Sequence, residues 1–130
     1  RTAIPRVVMP ELDPVYRATT RTEEVNIGLS AEQAMTEARR CLDCANPTCM
    51  QGCPVSINIP SFIKNIERGE FLNAARVLKS TSGAPLLVCG RVCPQEKQCE
   101  SQCIHLKMNE PAVASAIWNA SLPTSNARAA

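Results

Sequence analysis

The feature that most constrains this chain is the grouping of its eight cysteines into two short segments. Gaps of two, four and three residues separate the cysteines of the first segment, which ends in a Cys-Pro step. Thiolates grouped in this way are soft ligands, which bind zinc, copper(I) or iron–sulfur clusters in preference to hard cations. The pattern therefore predicts a metal-binding protein. The first group is Cys41, Cys44, Cys49 and Cys53, and the second is Cys89, Cys93, Cys99 and Cys103.

The spacing within the first group distinguishes between these metals. Zinc sites usually contain two CxxC pairs, whereas here only Cys41 and Cys44 form one. The run that ends at Cys53 resembles the ferredoxin run C-x2-C-x2-C-x3-C-P, in which the cysteine before proline binds a second cluster. By this analogy, Cys41, Cys44 and Cys49 begin one [4Fe–4S] cluster and Cys53 belongs to another. The second group then supplies the missing ligands, which ties both groups into one small unit.

Three other interpretations of the cysteines predict different proteins. Disulfides suit an even number of cysteines, but nothing in the sequence indicates secretion. Two structural zinc ions would make the chain a colourless, zinc-stapled structural or assembly domain. A cluster with an open iron would be catalytic, but the single histidine, His105, has no positioned acid–base partner and is more typical of a surface residue or a hydrogen-bond donor to sulfur. The spacing favours the iron–sulfur interpretation.

Length and composition set the limits of the fold. At 130 residues the chain is one domain long, and with only 3% aromatic residues its core must be built from Ala, Val, Leu and Ile. Bound clusters would cross-link and stabilise such a small core, so we expect the metal-free form to be largely unfolded. The formal charge of +2, without a Lys/Arg run, does not favour nucleic-acid binding. No apolar run suits a membrane span and no signal segment opens the chain, which favours the cytoplasm.

The spacing of apolar residues predicts helices. Residues 1–29 contain three prolines and no period, which is typical of an extended arm. Ser30 and Gln33 form a capping box, and a helix is predicted from about 31 to 41. That helix leads into a predicted loop over residues 41–53, because thiolates that converge on one cluster cannot all project from a straight helix.

A helical hairpin is predicted after the first cysteine group. Its helices occupy residues 60–69 and 70–79, since Pro60 suits a first helical position and Gly69 a C-terminal stop. The fold class is therefore all-α, a small helical domain with long cysteine-bearing loops and an extended N-terminal arm. The remaining predicted elements are a turn over 81–85, an apolar segment over 86–88, a short helix over 94–103 with Cys99 and Cys103 on one face, and a last helix from Pro111.

Five motifs can be compared with known families: residues 9–14 (MPELDP), 40–44 (RCLDC), 51–60 (QGCPVSINIP), 89–96 (CGRVCPQE) and 98–100 (QCE). They resemble the N-terminal iron–sulfur domain of the glutamate synthase small-subunit family. That family includes the large subunit of NADH-dependent ferredoxin:NADP oxidoreductase, and dihydropyrimidine dehydrogenase shares the domain. The resemblance covers about residues 5–111.

The resemblance implies an α-helical ferredoxin-like domain with two [4Fe–4S] clusters. We expect this domain to occupy residues 30–120, after the arm at 1–29 and before a tail at 121–130. Carried over by position, the family's ligands assign the cysteines to two sets. The first cluster takes Cys41, Cys44, Cys49 and Cys103, and the second takes Cys53, Cys93 and Cys99.

The fourth ligand of the second cluster is where this chain departs from the family. In the family this ligand is a Glu or Gln, in the helix that follows a proline matching Pro111. The family's segment there has a Gly-x-Leu-Glu-like ending, whereas this chain has ASAIWN at residues 114–119. Counting from the proline places Trp118, which cannot ligate, at that position, and counting from the last cysteine places Asn119 there. Cys89 is the better donor, although its counterparts in relatives are not ligands. Asn119 and Cys89 both stay candidates for the fourth ligand. If neither binds, the second cluster would have a solvent ligand, an open iron or a three-iron core.

The function implied by the resemblance is electron transfer. The domain would relay single electrons between a flavin- and NAD(P)H-binding domain or subunit and another iron–sulfur or ferredoxin-type centre. FAD and NAD(P)H are expected only on that partner, because this chain has no GxGxxG motif after a strand. No catalysis is expected from the chain alone.

Overall fold

The computed structural model describes residues 1–81 and 85–108 of the chain. Within those ranges the regular elements are helical, and one isolated antiparallel bridge joins Glu11 to Asn26. The predicted all-α fold is thus confirmed. The α-helices are α1 (Pro14–Arg17), α2 (Ala31–Ala38), α3 (Thr48–Gln51), α4 (Ile59–Glu67), α5 (Phe71–Thr81) and α6 (Pro85–Val92), and 3₁₀ turns follow at Gln95–Lys97, Glu100–Gln102 and Ile104–Lys107.

Helix α2 begins where its sequence predicts. The Ser30 hydroxyl accepts a hydrogen bond from the Gln33 amide at 3.2 Å, and the Gln33 side-chain oxygen accepts one from the Ser30 amide at 2.9 Å. This reciprocal cap satisfies two of the amides that a helix N-terminus leaves without partners. Ala34 and Ala38 are fully buried against the core. The helix ends three residues before Cys41, so the first thiol lies just beyond its C-terminus.

The helical hairpin of α4 and α5 is also confirmed and forms most of the core. Pro60 lies in the first turn of α4, and the Asn58 side chain caps the helix by accepting a hydrogen bond from the Ser61 amide at 3.2 Å. Gly69 separates the helices with φ of +79°, a left-handed conformation that glycine adopts without strain. The buried side chains of the hairpin are Ile59, Phe62, Ile63, Ile66, Ala74 and Leu78.

A buried ion pair joins the N-terminal arm to α2. Glu37 and Arg40 have no exposed side-chain surface, and their charged groups are 2.6 Å apart. The Glu37 carboxylate also accepts a hydrogen bond from the Val7 amide at 2.8 Å, and Arg40 Nε donates to the Ile4 carbonyl oxygen at 3.2 Å. The arm is otherwise largely irregular, although it includes the single turn α1, which was not expected from the sequence.

The structure differs from the predicted elements around the cysteines. The first cysteine segment is not loop throughout, because α3 forms one helical turn within it. The turn predicted over 81–85 falls mostly on residues 82–84, which lie outside the described residues. The apolar segment predicted over 86–88 is part of a helix, since α6 begins at Pro85, whose fixed φ suits a first helical position.

The single helix predicted over 94–103 was also wrong. Two 3₁₀ turns replace it, because the backbone at Gln98 leaves the helical region with ψ of −105°. Cys99 and Cys103 therefore flank the Glu100–Gln102 turn. The helix predicted from Pro111 lies outside the described residues, and the domain boundaries at 29 and 120 stay predictions.

Candidate iron–sulfur site

All eight cysteines lie within the described residues and carry free thiols. Cys99 is buried and the other seven are half-buried. Each thiol is thus shielded from bulk solvent to some degree while it stays open to a ligand. The eight thiols line two cavities, and Cys99 lines both.

The first cavity has a volume of about 50 Å³ and gathers five of the thiols. Its walls come from the segment after α2, from α3, from the start of α4 and from the last two 3₁₀ turns. Ile59, Pro60 and Ile63 supply an apolar side, which limits access of water to the thiols. The thiols of this cavity are Cys41, Cys44, Cys49, Cys99 and Cys103, so the four residues predicted for the first cluster are brought together.

The second cavity is larger, at about 260 Å³, and gathers four thiols. Apolar side chains of Val55, Ile57 and Phe62 form much of its wall. Its thiols are Cys53, Cys89, Cys93 and Cys99, so the three cysteines predicted for the second cluster are joined by Cys89. The other candidate ligand, Asn119, lies outside the described residues.

The two cavities share part of their walls. Cys99 and Ile59 line both of them. Groups bound in the two cavities would therefore be separated by little more than one layer of side chains.

Two contacts hold the cysteine segments together between the cavities. The Thr48 hydroxyl donates a hydrogen bond to the Gln102 carbonyl oxygen, which joins α3 to the Glu100–Gln102 turn. Gly52 approaches the Gln98 backbone so closely that a Cβ atom there would lie 2.7 Å from the Gln98 carbonyl oxygen. Glycine is thus needed at position 52 for lack of space, since its φ of −78° is open to any residue.

Burial controls the protonation of the thiols. Desolvation raises the pKa of Cys49 to about 11, and the neighbouring Cys41 and Cys103 add to the shift. Desolvation likewise raises the pKa of Cys99 to about 12, with further contributions from Glu100 and Cys93. Without a metal, these sulfurs are neutral thiols near pH 7. A cluster would have to displace their protons, which couples its binding to release of protons.

The donor set fits an iron–sulfur cluster better than a zinc ion. Four thiolates on one Zn²⁺ lie within about 4 Å of one another, because each Zn–S bond is about 2.3 Å long. Among residues 1–81 and 85–108, no three His, Cys, Asp or Glu side chains converge closely enough to hold a single metal ion. The cysteines surround cavities instead, as a polyatomic cluster requires when each of its irons takes one thiolate.

Three lining residues were not predicted as parts of the site. Gln98 lines the second cavity, where its side-chain oxygen lies 3.4 Å from Cys93 Sγ. Glu100 and His105 line the first cavity and are both buried, so His105 is not a surface residue. Gln98 and Glu100 belong to the 98–100 motif of the family resemblance, but that motif alone did not predict that they line a cavity. His105 follows Cys103 by two residues and belongs to none of the motifs.

Comparison with known proteins identifies the family of the domain. A family model described as dihydropyrimidine dehydrogenase domain II, 4Fe-4S cluster, matches residues 17–120. The chain belongs to this iron–sulfur domain family. The resemblance predicted from the cysteine motifs is thus confirmed, and the cysteine-rich region is a 4Fe-4S domain of the kind found in oxidoreductases.

Curated relatives of this 4Fe-4S domain are parts of larger enzymes. The chain is 42% identical over 96 residues to the glutamate synthase [NADPH] small chain of Escherichia coli K12, which covers 74% of this chain and 20% of that protein. The corresponding protein of Halomonas elongata is 37% identical over 94 residues, 72% of this chain and 20% of its own length. NAD-dependent dihydropyrimidine dehydrogenase subunit PreT of E. coli K12 is 34% identical over 89 residues, 68% and 21% of the respective chains.

The matched segment therefore spans about a fifth of the length of these relatives. Within the described part of this 4Fe-4S domain, none of the helices has the length and apolar character that a membrane crossing requires.

Proposed function

We propose that this chain relays single electrons through two [4Fe–4S] clusters, one in each cysteine-lined cavity. The observation that carries the proposal is the shared wall at Cys99 and Ile59, which would place two redox centres side by side. The family match supports a 4Fe-4S cluster. The second cavity, with its own set of thiols, supports a second one.

The ligand sets we propose are those that the family resemblance implies, and the cavities support them because each set of cysteines lines one cavity. The first cluster takes its thiolates from both cysteine segments, as does the second. This exchange of ligands would link residues 41–53 to residues 89–103 and stabilise the folded form, since metal-binding energy in such sites is also folding energy. The assigned ligands are Cys41, Cys44, Cys49 and Cys103 for the first cluster, and Cys53, Cys93 and Cys99 for the second.

A bound [4Fe–4S] cluster supplies one-electron redox chemistry at a potential that its surroundings adjust. The protein contributes the surroundings: Ile59 and Ile63 exclude water from the first cavity, and Phe62 and Ile57 do so in the second. The buried Glu100, at 3.5 Å from Arg6, adds a titratable group to the wall of the first cavity. Burial and local charge are two of the factors that set cluster potentials.

The partner we propose is a flavin- and NAD(P)H-binding domain or subunit, with a further iron–sulfur or ferredoxin-type centre at the other end of the relay. The names of the relatives include NADPH- and NAD-dependent enzymes, of which this domain matches about a fifth. FAD and NAD(P)H would bind on the partner, and the chain alone would not oxidise NAD(P)H. We place the relay in the cytoplasm, where thiols stay reduced.

The test is an anaerobic preparation of the chain with its absorption spectrum and its iron and sulfide contents. The relay requires a brown protein with about eight irons and about eight sulfides, four of each per cluster. Stepwise reduction should then take up one electron per cluster. A colourless protein with zinc, or one with only about four irons, would contradict the two-cluster relay.

A further inference from the structure

The second cavity holds one thiol more than the family's ligand set requires. Cys89 lines it beside Cys53, Cys93 and Cys99. Cys89 and Cys93 are four residues apart at the end of α6, and the Cys93 amide donates a hydrogen bond to the Cys89 carbonyl oxygen at 3.2 Å. Residues with this separation lie on the same side of a helical turn. The two sulfurs therefore approach the cavity from the same direction, while Cys53 and Cys99 approach from other segments.

We propose that Cys89 is the fourth ligand of the second cluster, which completes an all-thiolate site. The proposal rests on the two-cluster function above. Three backbone segments then surround the second cluster: the loop after α3, one face of α6 and the start of the Glu100–Gln102 turn. The site needs no oxygen ligand from the C-terminal residues.

Gln98 is the competing donor among the described residues of this cavity. Its side-chain oxygen lies 3.4 Å from Cys93 Sγ, in a position to accept a weak hydrogen bond from that thiol. An amide oxygen is a hard, neutral donor, whereas cluster irons prefer thiolate. That hydrogen bond needs the protonated thiol and is lost when Cys93 binds iron as a thiolate. With Cys89 available in the same cavity, Gln98 is the weaker donor and is not a ligand.

The proposal predicts that one half-buried thiol, Cys89, behaves differently with and without metal. In the cluster-loaded protein its sulfur is bound to iron and does not react with an alkylating reagent. After the clusters are removed by an oxidant and a chelator and the cysteines are reduced again to free thiols, the same thiol reacts. Mass spectrometry of the alkylated peptides reads this change without any substitution, so it is independent of whether a variant folds.

The decisive experiment compares Cys89→Ala with Gln98→Ala and Asn119→Ala in the cluster-loaded chain. Iron content and EPR spectra in the oxidised and reduced states are measured for each variant. Cys89→Ala should lose one to four of about eight irons and alter only one of the two cluster signals. Gln98→Ala and Asn119→Ala should retain the full iron content.

The outcomes separate this proposal from the relay itself. A wild-type chain with fewer than two clusters overturns both. If the wild-type chain holds two clusters but Cys89→Ala keeps all of its irons and both cluster signals, the relay stands and only the role of Cys89 is overturned. Cys89 is also not the fourth ligand if Gln98→Ala or Asn119→Ala loses iron while Cys89→Ala does not. Alkylation of Cys89 in the cluster-loaded protein leads to the same conclusion.

Discussion

His105 donates a hydrogen bond to the main chain of Arg40: its Nε2 atom is 2.7 Å from the Arg40 carbonyl oxygen, and both side chains are buried. A carbonyl oxygen can only accept, so Nε2 carries the hydrogen. Arg40 directly precedes Cys41, and His105 follows Cys103 by two residues. This one contact therefore connects the ends of the two cysteine segments beside the first cavity.

Removal of this contact should weaken the first cluster site. In His105→Ala the Arg40 carbonyl oxygen loses its donor in a buried place, which typically costs about 1–3 kcal/mol. We expect faster loss of iron to a chelator. His105→Gln, whose amide can donate to the same oxygen, should restore part of the retention. Equal rates of iron loss in His105→Ala and the wild type would show that the contact does not support the site.

Gly52 should tolerate no side chain, for steric reasons alone. In Gly52→Ala the new Cβ would lie 2.7 Å from the Gln98 carbonyl oxygen and 2.9 Å from Gln102 Cγ, so the two cysteine segments must move apart. Overpacking of this kind typically costs about 1–3 kcal/mol. We expect a lower iron content and a lower urea midpoint for loss of the cluster absorption.

Gly28→Ala is the matched control for this substitution. Gly28 has φ of +79°, and among the described residues, apart from its two chain neighbours, no atom lies within 4 Å of the position that a Cβ would take. The change therefore strains the backbone without crowding the cysteine segments. It should lower stability by about 1 kcal/mol while iron content stays full. If both variants lose iron to the same extent, the close approach of Gly52 to Gln98 is not what holds the site.

The parts of this structure that depend on local spacing could be predicted from the sequence. The cysteine groups, the Ser30 cap and the hairpin at Gly69 all carry their signal within a few residues. The contacts that complete the site do not. Gln98 and His105 become lining residues only because distant segments meet, and α6 was missed because an apolar run of three residues is too short to show a helical period.

The buried pair of Glu37 and Arg40 should be among the most sensitive polar positions. Arg40→Met removes the guanidinium that lies 2.6 Å from the buried Glu37 carboxylate, and it removes the donor to the Ile4 carbonyl oxygen. Breaking a buried pair in this way typically costs about 3–5 kcal/mol. We expect a large drop in the urea midpoint of the cluster-loaded protein, together with faster proteolysis of the N-terminal arm.

The double variant Glu37→Gln/Arg40→Met tests the cause. It removes both charges, so it should be more stable than Arg40→Met alone. A double variant that is less stable than Arg40→Met would assign the loss to packing of the arginine side chain and not to the uncompensated carboxylate.

Glu67 should make the stability of the fold depend on pH between about 2 and 4.5. Hydrogen bonds from Arg1 and Lys64, each 2.8 Å long, lower the pKa of Glu67 from 4.5 to about 2, with Arg1 the larger cause. Because this pKa is lower in the folded state than in the unfolded state, ionised Glu67 adds to the free energy of unfolding. That contribution is complete above pH 4.5 and is lost as the pH falls towards 2. Because the Glu67 and Arg1 side chains are 20% and 39% exposed, we expect less than about 1 kcal/mol.

The measurement is the difference in urea midpoint between the wild type and Glu67→Gln at several pH values. Acid also protonates the cluster ligands, but it does so in both proteins, so the difference isolates Glu67. The difference should be constant from pH 7 to 5 and shrink below that, as the unfolded carboxylate takes up its proton first. Added salt should reduce it as well, because surface ion pairs are screened. A difference that persists unchanged at pH 3 would mean that Glu67 acts through packing and not through its charge.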